Sequence, residues 1–522
     1  MICSSTDQTA PTEPRRLGET TSKKGNTARL TYPCGGPACF DLAGFHSRPH
    51  TALDHVMEII LAIAALVALV WGAVFFRAAG LLGGCLLVLL AGCCFGHPFF
   101  NLPVGPIPLT LDRLLWVALI GLFLVARRLG WIEQKPLGAA DWTLIAFTAW
   151  LTLSTLMHDW RWDGNQPLAT LLFFYLMPVG MYFVARETPL SERSTAVLFA
   201  CMGLFGLYLA VTAVAEVQKQ WWLVFPTYMA DPNVEEFFGR GRGPMLNPIG
   251  AGFYLSACLF AALMWWPRLG RAGRAALVVA VVVFVAGAWA TATRSVWMGM
   301  AGGLMLIVML AARKSWRVPL VGGALMVGVL LAATQWERLL AFKRDDHLSA
   351  QEAARSVELR PILARVAWNM FRDRPLAGCG FGQYLNTHRD YLADRSVDLP
   401  LEKARSYIQH NVFLSLLAET GLIGMTLFAA LLALWTRDAW RAWRRLDAPP
   451  STRQLGLVFL GLMVAYLCNA MFHEMSQIAT VNMLVLFMAG LACHMAQQRQ
   501  TVVNAKNGVM LDGEPGEAPA HS

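Results

Sequence analysis

Residues 275–312 read AALVVAVVVFVAGAWATATRSVWMGMAGGLMLIVMLAA, and their one charged side chain is Arg294. A helix needs about 20 mostly apolar residues to cross the hydrocarbon of a bilayer. The stretch therefore reads as two spans, 275–293 and 296–312, with almost no loop between them at Thr291-Ala-Thr-Arg-Ser295. Cations crowd both outer ends: Arg268, Arg271 and Arg274 before the pair, Arg313, Lys314 and Arg317 after it. Both clusters then share one face, and the turn bearing Arg294 lies on the other. The positive-inside rule assigns the cationic face to the cytoplasm.

Similar apolar runs occur near 56–76, 79–95, 109–126, 142–157, 168–185, 195–215, 249–266, 318–334, 411–435, 455–472 and 478–496. The expected fold is an all-α integral membrane protein, a polytopic bundle of about 12–13 transmembrane helices with one long outer loop. Composition agrees. Of 522 residues, 56% are hydrophobic and 15% charged, where soluble domains carry about 25% charged residues. A disordered chain, a disulfide scaffold and an ordinary soluble enzyme are excluded. The net charge of +9 needs no nucleic-acid partner, because much of the cationic excess sits in the loops 127–141, 267–274, 313–317 and 436–454, all on the cytoplasmic side. The 11 cysteines show no CxxC pair and no zinc spacing and read as small apolar fillers.

The expected organisation is a disordered tail over 1–55, ten spans over 56–334, a long periplasmic loop over 335–409 with an amphipathic helix near 355–372, three spans over 410–496, and a cytoplasmic tail over 497–522. Leu359, Leu363, Val366, Trp368 and Met370 are the apolar candidates of the amphipathic helix. Thirteen spans with a cytoplasmic C-terminus put the cationic tail 1–55 outside. A start at Met57, or one of the first two runs not crossing, removes that conflict.

Polar groups converge on the outer face. Arg240 and Arg242 lie in the glycine-rich loop before the span at 249, and guanidinium forks suit phosphate. Arg294 stands at the edge of the hydrocarbon, where a charge is costly and marks a functional site. Arg360 and Arg365 lie on the amphipathic helix, followed by the Pro/Gly-rich turn 375–382. His410 stands at the mouth of the next span, beside Asn411, with Glu419 about two and a half turns deeper. Histidine suits proton transfer near neutral pH. Arginines around one histidine suit an anionic substrate, a phosphate or diphosphate, together with an acid/base step.

These residues resemble a known family. His410-Asn411, nine residues, Gly421, two residues, Gly424, within HNVFLSLLAETGLIG, is similar to the signature of the O-antigen ligase and polymerase family. RPILARVAWNMFRDRPLAGCGFGQY (360–384), TATRSVWMG (291–299) and GRGRGPMLNPIGAGFYL (239–255) resemble further family elements. The resemblance covers roughly 200–490. Ile249 stands where the family often has a second Asn, and about thirteen spans stand against the family's usual twelve.

The resemblance implies a GT-C-like membrane glycosyltransferase of the bacterial inner membrane with a periplasmic active site. Its substrates would be a glycan on undecaprenyl diphosphate and an acceptor, either a lipid-core sugar, a growing polysaccharide or, in some relatives, a protein hydroxyl. It implies no metal and no cofactor. His410 would act as base toward the acceptor hydroxyl or orient it. Arg294 and Arg240 (or Arg242) would hold the diphosphate, and Arg360 or Arg365 would close over the donor. Asn411, Glu419, Gly421 and Gly424 would support the histidine helix. The alternative is a transporter or flippase of lipid-linked sugars, which should show inverted repeats with broken helices at mid-depth.

Overall fold

The computed structural model describes residues 79–511 except 97–98, 105–106, 162–165, 233, 235–236, scattered positions within 314–332, 335–349, 395, 397 and 406. The expected tail 1–55, the first span 56–76 and most of the span 318–334 lie outside the described residues. The described residues are predominantly helical. Helix α1 is Ala79–Cys94. It is followed by α2 (Leu111–Arg128), α3 (Ala139–Leu156), α4 (Pro167–Glu187) and α5 (Glu192–Val217). Next come α6 (Pro248–Leu263), α7 (Arg271–Ala290), α8 (Arg294–Ala311) and α9 (Ala350–Asp373). Three long helices close the chain: α10 (Val412–Arg444), α11 (Pro450–Ala470) and α12 (Ala479–Leu511).

Eight helices among the described residues are long and apolar enough to cross a membrane. They are α4 to α8 and α10 to α12, and each falls on an expected span. Among the described residues the strands form one small antiparallel hairpin, Leu102–Val104 with Ile107–Leu109. Pro103, Pro106 and Pro108 deny that stretch the amide donors a helix needs.

Burial sorts the spans. The most apolar 18 residues of α6 and α12 are each 78% buried and those of α11 72%, whereas those of α7 are 17% buried. The first three are central, and α7 turns most of its valines outward, as a helix facing lipid does. Helix α7 packs against α5 through small residues. A Cβ on Gly287 would come within 2.6 Å of the Ala210 Cα. Close backbone approach of this kind holds helices together where lipid removes the hydrophobic drive.

Helix α9 is amphipathic and does not cross. Leu359, Ile362, Leu363, Val366 and Met370 are buried at helical spacing. From Ile362 onward they form a second core with Cys379, Tyr384, Leu401 and Ala418. Trp368 corrects the expected apolar face. It is 44% exposed and packs on Phe371, with ring centroids 5.3 Å apart. Two residues beyond Val366 is a rotation of about 200°, which points Trp368 away from the core.

Helix α10 is broken rather than straight. Gly421 has φ 64° and ψ −162° inside it, a conformation restricted to glycine. Beyond the break the helix continues to Arg444, past the expected end near 435. At the chain's end α12 runs on to Leu511, into the stretch expected to be a tail.

Candidate active site

The site is framed by the break in α10. Backbone groups freed at Gly421 are taken by the turn that follows α9. Leu422 N–H donates to the Pro375 carbonyl (2.8 Å), Cys379 N–H to Ala418 (2.9 Å) and Gly380 N–H to Glu419 (2.9 Å). Chain runs against chain with no room for side chains. A Cβ on Gly378 would meet the Glu419 carbonyl carbon at 2.3 Å.

The Glu419 side chain completes the lock. It is 5% exposed, and it accepts the N–H of Gly382 at 3.0 Å and of Tyr384 at 3.1 Å. A buried carboxylate is tolerated when such donors meet both oxygens. The end of α3 holds the same turn. Ser154 Oγ accepts from Phe381 N–H (3.0 Å), and Gln383 Nε2 donates to the Asp159 carbonyl (2.8 Å). Gly424 sits one helical turn past the break, where a Cβ would strike Thr420 and approach Trp150.

His410 stands at the start of α10, pinned from both sides. Before it, Gln409 Nε2 donates to the Leu363 carbonyl of α9 at 3.0 Å. After it, Asn411 caps α10, accepting from Leu414 N–H at 3.0 Å, and donates to the Met471 carbonyl after α11 at 3.0 Å. The imidazole itself is partly buried. Burial, and then the nearby Arg360 charge, hold its pKa below the ordinary 6.5. It is therefore neutral at pH 7, the form that can accept a proton.

Arg360 is the hub of the cationic group. It lies over the Phe472 ring, 5.0 Å from the centroid. Its own pKa is lowered by burial and then by the charge of Arg294. Arg360 thus stands within electrostatic range of both Arg294 and His410, which come from separate elements (α8 and the start of α10). Arg365 is not in that group. It lies about 140° farther round α9, and its charge bears instead on Asp394, which accepts a hydrogen bond from Asn369 at 2.8 Å.

Arg240 and Arg242 are buried, at 5% and 1% exposure. Arg240 Nε donates to the Thr291 carbonyl (3.1 Å) and Nη2 to Thr293 Oγ1 (2.6 Å). It clamps the turn that presents Arg294. Arg242 donates to the carbonyls of Val234 (2.7 Å) and Met229 (2.9 Å), and its Nε is 3.5 Å from Glu216 Oε1. These two guanidinium groups hold the glycine-rich loop together.

Sequence reasoning missed Gln409, Phe472 and Glu474. Glu474 is buried in the connection between α11 and α12, hydrogen-bonded by Ser476. Burial pushes its pKa up to about 8. An acid in this short connection between two apolar spans was a readable signal. Phe472 offered none.

The molecule is a predominantly helical, multi-pass membrane protein whose helix ends gather a histidine and two arginines on one face. Residues 279–429 match the family model described as O-Antigen ligase, so the chain carries an O-antigen ligase family domain. The match runs from within α7 into α10. It includes Arg294, Arg360, Arg365, His410, Asn411, Glu419, Gly421 and Gly424, and it leaves Arg240 and Arg242 outside. No curated protein matches the chain.

Proposed function

We propose that this protein transfers a glycan from an undecaprenyl-diphosphate-linked donor to a hydroxyl of a lipid-core sugar or a growing polysaccharide, on the periplasmic face of the bacterial inner membrane. The observation that carries the reading is the chain of influence from Arg294 through Arg360 to a neutral His410. The family domain supports lipid-linked glycan chemistry.

His410 takes the proton of the acceptor hydroxyl. The oxygen attacks the anomeric carbon, and the bond from that carbon to the diphosphate oxygen breaks on the opposite side, with inversion. The leaving diphosphate keeps the electron pair. Arg294 and Arg360 neutralise it, since fixed cations aimed at developing charge lower the barrier most effectively in a water-poor site. Arg240 and Arg242 act one step back, by holding the loop and the turn that carry Arg294. Asn411, Glu419, Gly421 and Gly424 set the position of His410.

The test is transfer by purified protein supplied with lipid-linked donor and acceptor, without an ion gradient. The expected result is a new glycosidic bond, lost in His410→Ala and Arg294→Ala variants that insert normally. Full transfer by both variants would defeat the assignment of residues. Movement of the donor across vesicles with no new bond would make the protein a transporter.

A further inference from the structure

The face opposite His410 holds a cavity of about 1090 Å³ that glycan transfer does not use. Its position follows from α10, which starts beside His410 and ends in the cavity wall at Arg444. The part of α10 beyond its break, 422–444, rises about 35 Å, enough to cross the roughly 30 Å of hydrocarbon in a bilayer.

Five cations line the cavity: Lys135, Arg437, Arg441, Arg444 and Arg445. Two carboxylates, Asp438 and Asp447, accompany them. Asp438 engages Arg437 at 3.1 Å and Arg441 at 3.8 Å. Arg445 reaches the Met495 carbonyl at 3.2 Å through one nitrogen, while its buried Nε has no acceptor among the described residues. Net positive charge therefore remains inside a concave wall. Membrane orientation requires cations on this side, but it does not require them to converge on a cavity.

The wall has a second character. Trp440, Leu137 and Leu446 also line it and are 40%, 39% and 82% exposed. Apolar side chains beside arginines at the end of a spanning helix provide a place for acyl chains next to a place for an anion. The floor is rigid. Arg186, wholly buried, donates to the Pro136 carbonyl at 2.5 Å and pairs with Asp141 at 2.8 Å. This fixes the 135–140 segment against α4.

We propose that this cavity binds a phosphoryl headgroup, presented by an anionic lipid of the adjoining leaflet. Its volume exceeds the roughly 300–1,000 Å³ typical of small-ligand pockets, which suits a headgroup with the beginnings of its chains. Basic pockets at the ends of spanning helices take such headgroups by charge, and guanidinium forks match phosphate oxygens.

The experiment is native mass spectrometry of the full chain released from nanodiscs of phosphatidylethanolamine with phosphatidylglycerol or cardiolipin. The expected result is retention of the anionic lipid over phosphatidylethanolamine. In Arg441→Gln/Arg444→Gln that preference falls roughly tenfold or more, and in Arg441→Lys/Arg444→Lys it is largely kept. Equal retention of zwitterionic and anionic lipid, or unchanged preference in the Gln variant, overturns the proposal. A lipid-stripped sample titrated with inorganic phosphate separates the sources. Weak binding there supports the lipid. Tight binding of free phosphate, without discrimination among lipids, assigns the cavity to a soluble anion and overturns the lipid source.

Discussion

Gly421 of α10 and Leu376 of the turn after α9 touch backbone to backbone. A Cβ on Gly421 would lie 2.3 Å from the Leu376 carbonyl oxygen. The contact joins two segments of the family domain, the turn after α9 and α10, at the level of main chain. Gly421→Ala meets both this clash and a φ/ψ pair that costs an L residue of order 1–3 kcal/mol. The expected outcome is less folded protein in the membrane and a lower Tm, with glycan transfer falling in step. Wild-type Tm in this variant would contradict the geometry.

Glu419→Gln tests the carboxylate clamp without changing its shape. Glutamine keeps one acceptor oxygen for two backbone donors, Gly382 N–H and Tyr384 N–H. One donor is left buried against an NH₂ group, a cost of about 1–3 kcal/mol. A thermal-shift measurement should show a clear drop, and Glu419→Ala a larger one.

The neutral His410 sets a pH dependence. The group's pKa lies below 6.5 through burial and the Arg360 charge, so transfer should be flat through neutrality and fall only on the acid side of that value. Arg360→Met removes a cation that disfavours protonation. The acid limb of kcat/KM should therefore move upward, in addition to an overall loss of rate. A limb that stays in place would separate Arg360 from the histidine.

Two arginines of one residue type should fail in different ways. Arg242→Ala leaves Glu216 buried without its cation, and breaking such a pair costs about 3–5 kcal/mol. Its expected signature is loss of folded protein. Arg294→Lys keeps a charge on a half-buried side chain but loses the fork. Its expected signature is slower transfer at unchanged Tm, checked by assaying equal amounts of folded protein.

Much of this was legible in the chain. Apolar run length located the eight described spans, because lipid leaves helices few alternatives. That Arg294 and His410 each lie near Arg360 agrees with the side of the membrane that counting spans gives them. The division among the arginines was not legible. Arg242 looks like a phosphate ligand until Glu216, some twenty-six residues earlier, is seen against it. Arg360 and Arg365 are separated by a rotation that a helical wheel gives, but the wheel does not say which side meets His410. That depends on where Phe472 and Met471 arrive from α11, a long-range packing result with no local signature. Trp368 misled for the opposite reason, since size and apolarity alone do not specify a face.

The break at Gly421 also constrains how the protein is made. In hydrocarbon a main-chain group without a partner is not tolerated. Leu422 N–H and the carbonyls of Ala418 and Glu419 find partners in residues 375–380. Helix α10 is therefore not finished by its own synthesis. It is completed by a segment translated earlier, already waiting on the same side when α10 arrives. A chain in which that turn is delayed or held back would present a half-satisfied helix to the lipid, the form that membrane quality control removes.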